Sequence, residues 1–528
     1  MNDSLCRPAS LFGEISLMRR NSTSAPMSVL NHNFVARASR VLQRLGFLSC
    51  LLTVALISLL ALVMISCGDG TGASAGTPGL TFSNASLKGQ YAFSFVGTDT
   101  GGPAMLAGTF LSDGNGNINS GVEDSNAISG ILTNEVFNGT YSIGPDGRGS
   151  ATITNSRGLS HLQFVIISVN RALIIQFDTF ASGTGSINQQ APTDFNVSAI
   201  SGAYVINFYG FSAVGSSYVA TGILTADGRG ALLGVIDEND GDFKPNLPLA
   251  GTYTLAPNGR GTAILATSSA TSHFSFYVIS RSVLTFVELD SLPFVSGVAR
   301  AQQGAPFAIS SFSGDYAFGA GGQTVSGPFA SAGRLTADGR GTILAGVRDD
   351  NDTVNVTRNL AFTGAYTVSP QGRGTGTLTS PTTSYTLLFY MISQTEAVLM
   401  SSDPALVSIG EMSGQQSAPF GDSSVHGRFG VMDSILTGGL EQDVVSQITI
   451  DGAGTGHGLQ DLNAGLLPTP PTVVTATFSI SANGRVMATM SGARGQSDFA
   501  LYLASSSRAY LVGLNPGVAE RGLVEKQY

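Results

Sequence analysis

Tryptophan is absent from the chain, lysine occurs only at Lys88, Lys244 and Lys526, and the three cysteines, Cys6, Cys50 and Cys67, all lie toward the N-terminus. Each shortage excludes something. Without tryptophan, the broadest aromatic surface on which a sugar ring could stack is missing. With so few lysines and a formal net charge of −9, no basic stripe exists to neutralise phosphates, so nucleic acid is not an expected partner. With no thiol beyond Cys67, the rest of the chain has neither disulfides nor cysteine-bound metal and relies on packing. Charged residues amount to 12% of the composition, about half the roughly 25% usual in soluble domains, which leaves little to cover exposed helix faces. What is plentiful is glycine, 67 of 528 residues, costly in helices and suited to turns. An all-β chain of several domains follows.

Residues 47–65 run without a charge and follow Arg37, Arg40 and Arg44. A basic stretch before an apolar one has the layout of an export signal. It ends in Met64, Ile65, Ser66 and Cys67, which resembles the lipobox of bacterial lipoproteins. That resemblance implies lipidation of Cys67 and a mature N-terminus there, with Met64 departing from the usual leucine. The same run is near the roughly 20 residues that span a bilayer as an uncleaved anchor helix. Residues 1–66 are therefore assigned to the N-terminal extension and the signal or membrane segment, and residues 67–86 to a Gly/Ser/Thr-rich tether. Both readings place the remainder outside the cytoplasm, at the cell envelope.

The rest of the sequence repeats itself. A glycine two residues before an aromatic occurs as Gly89–Tyr91, Gly202–Tyr204, Gly314–Tyr316 and Gly427–Phe429, the glycines spaced 113, 112 and 113 residues apart. A first tight turn recurs at Asp113-Gly114, Asp227-Gly228, Asp338-Gly339 and Asp451-Gly452. A second recurs around Gly147, Gly259, Gly372 and Gly484. Such pairs between apolar alternations are hairpin signals, because glycine takes the positive φ that the turn requires. The glycine after each arginine of the second turn reads as a bulge. Four β-domains are predicted, over residues 87–190, 200–303, 312–416 and 425–528.

Eight short apolar runs can be counted in the second unit, with connections too short for parallel crossovers. Closing such a meander removes both exposed edges. Each unit is thus expected to be an eight-stranded antiparallel barrel, resembling streptavidin or the lipocalins in architecture only, with a β-sandwich as the alternative. Runs apolar on both faces, such as residues 164–168 and 387–393, are expected to face the barrel interior on one side and a neighbouring unit on the other.

One polar motif recurs in all four units, Gly-x-x-Asp-x-Asn, carrying Asp124 and Asn126, Asp237 and Asn239, Asp349 and Asn351, and Asp461 and Asn463. Oxygen-rich side chains at a strand end suit a hard cation, so the first three pairs are candidate calcium ligands. The competing reading has the same residues capping loops through Asx hydrogen bonds. Ser168, Ser280, Ser393 and Ser505 also recur, but no histidine accompanies them throughout, since Thr386 and Asp498 replace His161 and His273. No catalytic triad, P-loop or nucleophile elbow is present, and no catalytic residue or cofactor other than calcium is expected. The turn arginines Arg148, Arg229, Arg260, Arg340, Arg373 and Arg485 are expected to be solvated.

The expected function is that of a non-enzymatic exported lipoprotein whose tandem domains form a structural, interaction or adhesion surface. Its partners would be the membrane and a protein or envelope polymer. The alternatives are barrels that each hold a small apolar ligand, and a calcium-stabilised surface protein.

Overall fold

The computed structural model describes residues 81–213, 216–416, 418–436 and 441–528. The signal or anchor segment and residues 67–80 of the tether, Cys67 among them, lie outside the described residues.

Among the described residues, thirty-two strands form four closed antiparallel barrels of eight, each an up-and-down meander, so the sandwich alternative is set aside. Barrels 1 to 4 occupy residues 88–189, 201–301, 313–414 and 427–526. In barrel 1, β1 (Lys88–Asp99), β2 (Gly102–Asp113), β3 (Asn117–Ala127) and β4 (Gly130–Ile143) are followed by β5 (Arg148–Asn155), β6 (Gly158–Ser168), β7 (Arg171–Phe177) and β8 (Ala181–Gln189). β1 pairs with both β2 and β8, which closes the barrel. Strands run from 6 to 14 residues, longer than the runs legible in the sequence, because polar residues at their ends continue the ladders.

The first turn of each barrel is built the same way. Asp113 Oδ1 accepts from the backbone N–H of Asn115 at 2.7 Å and of Asn117 at 3.0 Å, and Asp227, Asp338 and Asp451 repeat the pattern. The glycine after each aspartate has φ between 70° and 80°, the left-handed region that glycine enters without cost.

The glycine expected to bulge does something else. Gly149, Gly261 and Gly374 keep regular register. A Cβ there would lie 2.4, 2.1 and 2.1 Å from the rings of Phe164, Phe276 and Phe389, so each glycine is the floor for an aromatic laid across the strand. Register shifts occur elsewhere, such as between Ile118 and Gly121.

Inward side chains form the core of each barrel, as eight strands permit. Barrel 2 is packed with Phe208, Phe274, Phe276 and Phe286, whose ring centroids lie 5.2 to 6.1 Å apart in the contacting pairs. Outward apolar patches join neighbours in a closed cycle. Ala92 and Met105 meet Tyr277 and Val287 between barrels 1 and 2. Val205 and Val219 meet Leu388 and Tyr390 between 2 and 3, and Ala317 and Ala332 meet Tyr502 and Val512 between 3 and 4. Val445 meets Val165 and Leu173 between 4 and 1. The two-sided apolar strands thus face an interior and a neighbour.

Candidate functional site

The repeated Asp-x-Asn motif sits at the joints between barrels. Asp124 of barrel 1 accepts a two-pronged contact from Arg260 of barrel 2, Nε at 2.7 Å and Nη2 at 2.6 Å. Asp237 receives Arg373 at 2.8 and 2.9 Å, and Asp349 receives Arg485 at 2.8 and 2.7 Å. The hydroxyls of Tyr277, Tyr390 and Tyr502 donate to the same three carboxylates. A backbone N–H completes each, from Asn134, Asn246 or Asn359, which all take φ near 55°. Burial first, then the neighbouring aspartate charge, raises the three tyrosine hydroxyls, so they stay protonated donors.

The asparagines reach the turn before the next barrel's last strand. Asn126 donates to the Asp290 carbonyl at 2.6 Å, Asn239 to Ser401 and Asp403 at 3.0 Å, and Asn351 to Gly513 and Asn515 at 2.9 Å. The six residues considered for calcium are therefore buried in joints, and their carboxylates are spent on a guanidinium and a phenol. Among the described residues no group of three or more His, Cys, Asp and Glu side chains is placed to hold a metal ion. Arg148, Arg260, Arg373 and Arg485 are paired joint residues, not solvated ones, because each second turn abuts the preceding barrel of the cycle. Arg229 and Arg340, on the first turns, are exposed as expected. The recurrent serines are turn residues: Ser168, Ser280, Ser393 and Ser505 each accept a backbone N–H two positions on, at 3.1 to 3.2 Å.

The fourth joint closes the cycle. Asp461 of barrel 4 holds Arg148 of barrel 1 at 3.1 and 2.6 Å, and Asn463 donates to Asp178 at 3.0 Å. Here Val165 stands opposite Arg148, where the other joints have tyrosine. Burial therefore raises the Asp461 carboxyl above its ordinary range, and Arg148 reverses only part of the shift. Tyr528 N–H donates to Ile167 at 2.8 Å, the same contact that Ala191, Gln303 and Gln416 make in the covalent linkers.

The joints repeat; the interiors do not. One inward position reads Glu123, Ile236, Arg348 and Gln460 around the four barrels, opposite Gly108, Gly222, Gly333 and Ser446. Arg348 pairs with Asp350 at 3.0 Å and lies 3.8 Å from the Tyr385 ring centroid, and Gln460 accepts from Ala493 N–H at 3.1 Å. Barrels 3 and 4 retain internal cavities of only about 60 and 70 Å³.

Barrel 1 differs. A cavity of about 390 Å³ opens at one end, lined by Phe93, Phe95, Leu106, Leu162, Glu123 and Asn155. Two smaller side chains account for the space. Leu162 stands where barrel 2 has Phe274, and Ser160 where barrel 3 has Tyr385, judged by their ladder partners. Glu123 is buried, and its Oε1 accepts from Asn155 Nδ2 at 2.7 Å. Burial pushes its carboxyl up to about 7, with Asn155 opposing the shift. The chamber is a mainly apolar pocket with one buried acid, Glu123, and with Asp99 and Arg157 also in its lining, the composition of a small-molecule site. Sequence reading gave Glu123 no role because it occupies a variable position of the recurring Gly-x-x-Asp-x-Asn motif; its signal was that variability at one inward position among otherwise matching repeats.

No protein-family model matches the chain, and no curated protein matches it. Among solved structures, the chain is similar to a double mutant of the vaccine antigen transferrin-binding protein B from Haemophilus parasuis. That match has 8% identity and a TM-score of 0.19, over 88% of this chain and 98% of that one. A single mutant of the same antigen matches at 9% identity and a TM-score of 0.18, over 87% of this chain and 98% of that one.

Proposed function

We propose that the chain is a non-enzymatic binding protein of the cell envelope, tethered through Cys67, in which barrels 2 to 4 form a rigid frame and barrel 1 is the ligand chamber. The observation that carries this reading is the cavity of about 390 Å³ in barrel 1, set against interiors filled by aromatic side chains elsewhere. The frame is supported by the joints, where bidentate arginine–carboxylate pairs fix orientation as well as adding energy. The ligand class is a small apolar molecule with a hydrogen-bond donor for Glu123. The tether rests on the lipobox resemblance, and interaction with an envelope protein or polymer remains part of the proposal.

The test uses the fluorescent probe N-phenyl-1-naphthylamine, apolar with a single N–H, and purified full-length protein. The wild type is expected to enhance its emission saturably. The double variant Ser160→Tyr, Leu162→Phe, which fills barrel 1 with the residues of its neighbours, is expected to lose at least nine-tenths of the signal while melting normally. Equal enhancement by both proteins would sink the chamber. In cells, palmitate label is expected on the wild type and absent from Cys67→Ala.

A further inference from the structure

The four barrels enclose a cavity of about 250 Å³ where they meet, lined among others by Thr184 of barrel 1, Asn207 of barrel 2, Glu411 of barrel 3, and Arg508 and Arg521 of barrel 4. Unlike the joints, this axis is not built from repeated residues. The eighth-strand position that gives Glu411 reads Ser186, Val298 and Leu523 in the other barrels, opposite Ser94, Asn207 and Met432. The chemistry here is specific to the axis and is not a by-product of duplication.

Glu411 is already satisfied. Arg300 of barrel 2 donates to it, and Arg508 does so at 3.3 Å. Burial alone would raise its carboxyl, but Arg300, Arg508 and Arg171 of barrel 1 reverse this and hold it below the ordinary range. Two atoms beside it are not satisfied, and a third group, Arg521, is half-buried. Arg508 Nε and Asn207 Oδ1 are buried without a hydrogen-bond partner. Among the described residues Arg521 has no hydrogen bond or ion pair; its guanidinium lies 5.5 Å from the Tyr209 ring centroid. Space for it is provided by Gly321, where a Cβ would sit 2.4 Å from the arginine Cδ. The nearby Glu441 is bonded to Ser434 at 2.9 Å, and burial pushes its carboxyl up. Asp433, which also lines the cavity and has its Oδ1 buried without a partner, faces Arg494 and Glu520 and is raised by burial, then by Glu520. The side chains of Arg508 and Glu411 remain 29% and 25% exposed, so the cavity is in contact with solvent.

A guanidinium presents donors in a flat fork that matches two oxygens of a carboxylate or phosphate, and leaving those donors unpaired in a protein interior is costly. We infer that this axial cavity binds a small molecule bearing a carboxylate or phosphate group, gripped by Arg521 and Arg508, with Asn207 accepting from a neighbouring hydroxyl or amine. The site is separate from the barrel 1 chamber and does not depend on it.

Full-length protein is titrated calorimetrically with inorganic phosphate and with malonate, against sodium chloride at matched ionic strength. Saturable binding of at least one oxyanion is expected, and which of the two binds identifies the group recognised. Arg521→Gln is expected to weaken that binding at least tenfold while leaving the anion-free melting temperature nearly unchanged, since among the described residues Arg521 makes no hydrogen bond or ion pair and touches only the Tyr209 ring and the field of Glu441. Asn207→Asp, which adds a repelling charge, is a second variant expected to weaken it. Heats indistinguishable from chloride, or an unaltered affinity in both variants, would overturn the site.

Discussion

Glu123 is a carboxyl whose burial has a measurable cost. Its folded pKa, about 7, lies above the ordinary value of 4.5, so the folded state holds the proton more tightly than the unfolded one. Its contribution is therefore most favourable below about pH 4.5, declines as pH rises toward 7, and is flat beyond. A shift of that size corresponds to roughly 3 kcal/mol. Glu123→Gln removes this dependence, so its melting temperature is expected to exceed the wild type's by a margin that grows from pH 5 to pH 8. A constant margin would mean that Glu123 ionises freely. Asp124 and Asn126 teach a different lesson. Their recurrence was legible, but not their partners, because a carboxylate at a strand end looks the same whether it holds a cation, a loop or an arginine 136 positions away. The clue was numerical: the same separation links Asp237 to Arg373 and Asp349 to Arg485.

Strands and hairpins were readable because glycine and aspartate have local reasons to be where they are. The aspartate of each first turn bonds backbone two and four positions on, which needs no knowledge of the rest of the chain. The glycine after Arg148 in β5 does not form the expected bulge, since its reason is an aromatic ring on the adjacent strand. Barrel 4 solves the same contact differently, with Val486 opposite Leu501 where barrel 3 has Gly374 opposite Phe389. Gly374→Val alone forces a side chain into the Phe389 ring and is expected to destabilise by about 1–3 kcal/mol, the usual cost of overpacking. Adding Phe389→Leu, which reproduces the barrel 4 pair, should recover most of that loss in chemical denaturation. Additive losses in the double variant would show that the two positions are not one packing unit.

The closed cycle of barrels was not legible at all. Tandem repeats read along a sequence suggest a linear array, and nothing in residues 427–528 announces that they meet residues 88–189. Closure depends on Arg148 and Asp461, which look like the other turn arginines and motif aspartates, and on two residues at the end of the chain. Gln527 and Phe82 flank Gly147 as Gln302 and Phe307 flank Gly372, so the last barrel meets the first through the parts a linker would use. An assembly of this kind has no privileged starting point. A circularly permuted protein that begins at Gly304, ends at Gln303, and bridges Tyr528 to Phe82 with a copy of the connector between Gln303 and Phe307 should fold to the same body. Calorimetry is expected to give a single transition close to that of the unpermuted residues 81–528, whereas separate transitions would mean that the order of synthesis, and not the joints, holds the barrels together.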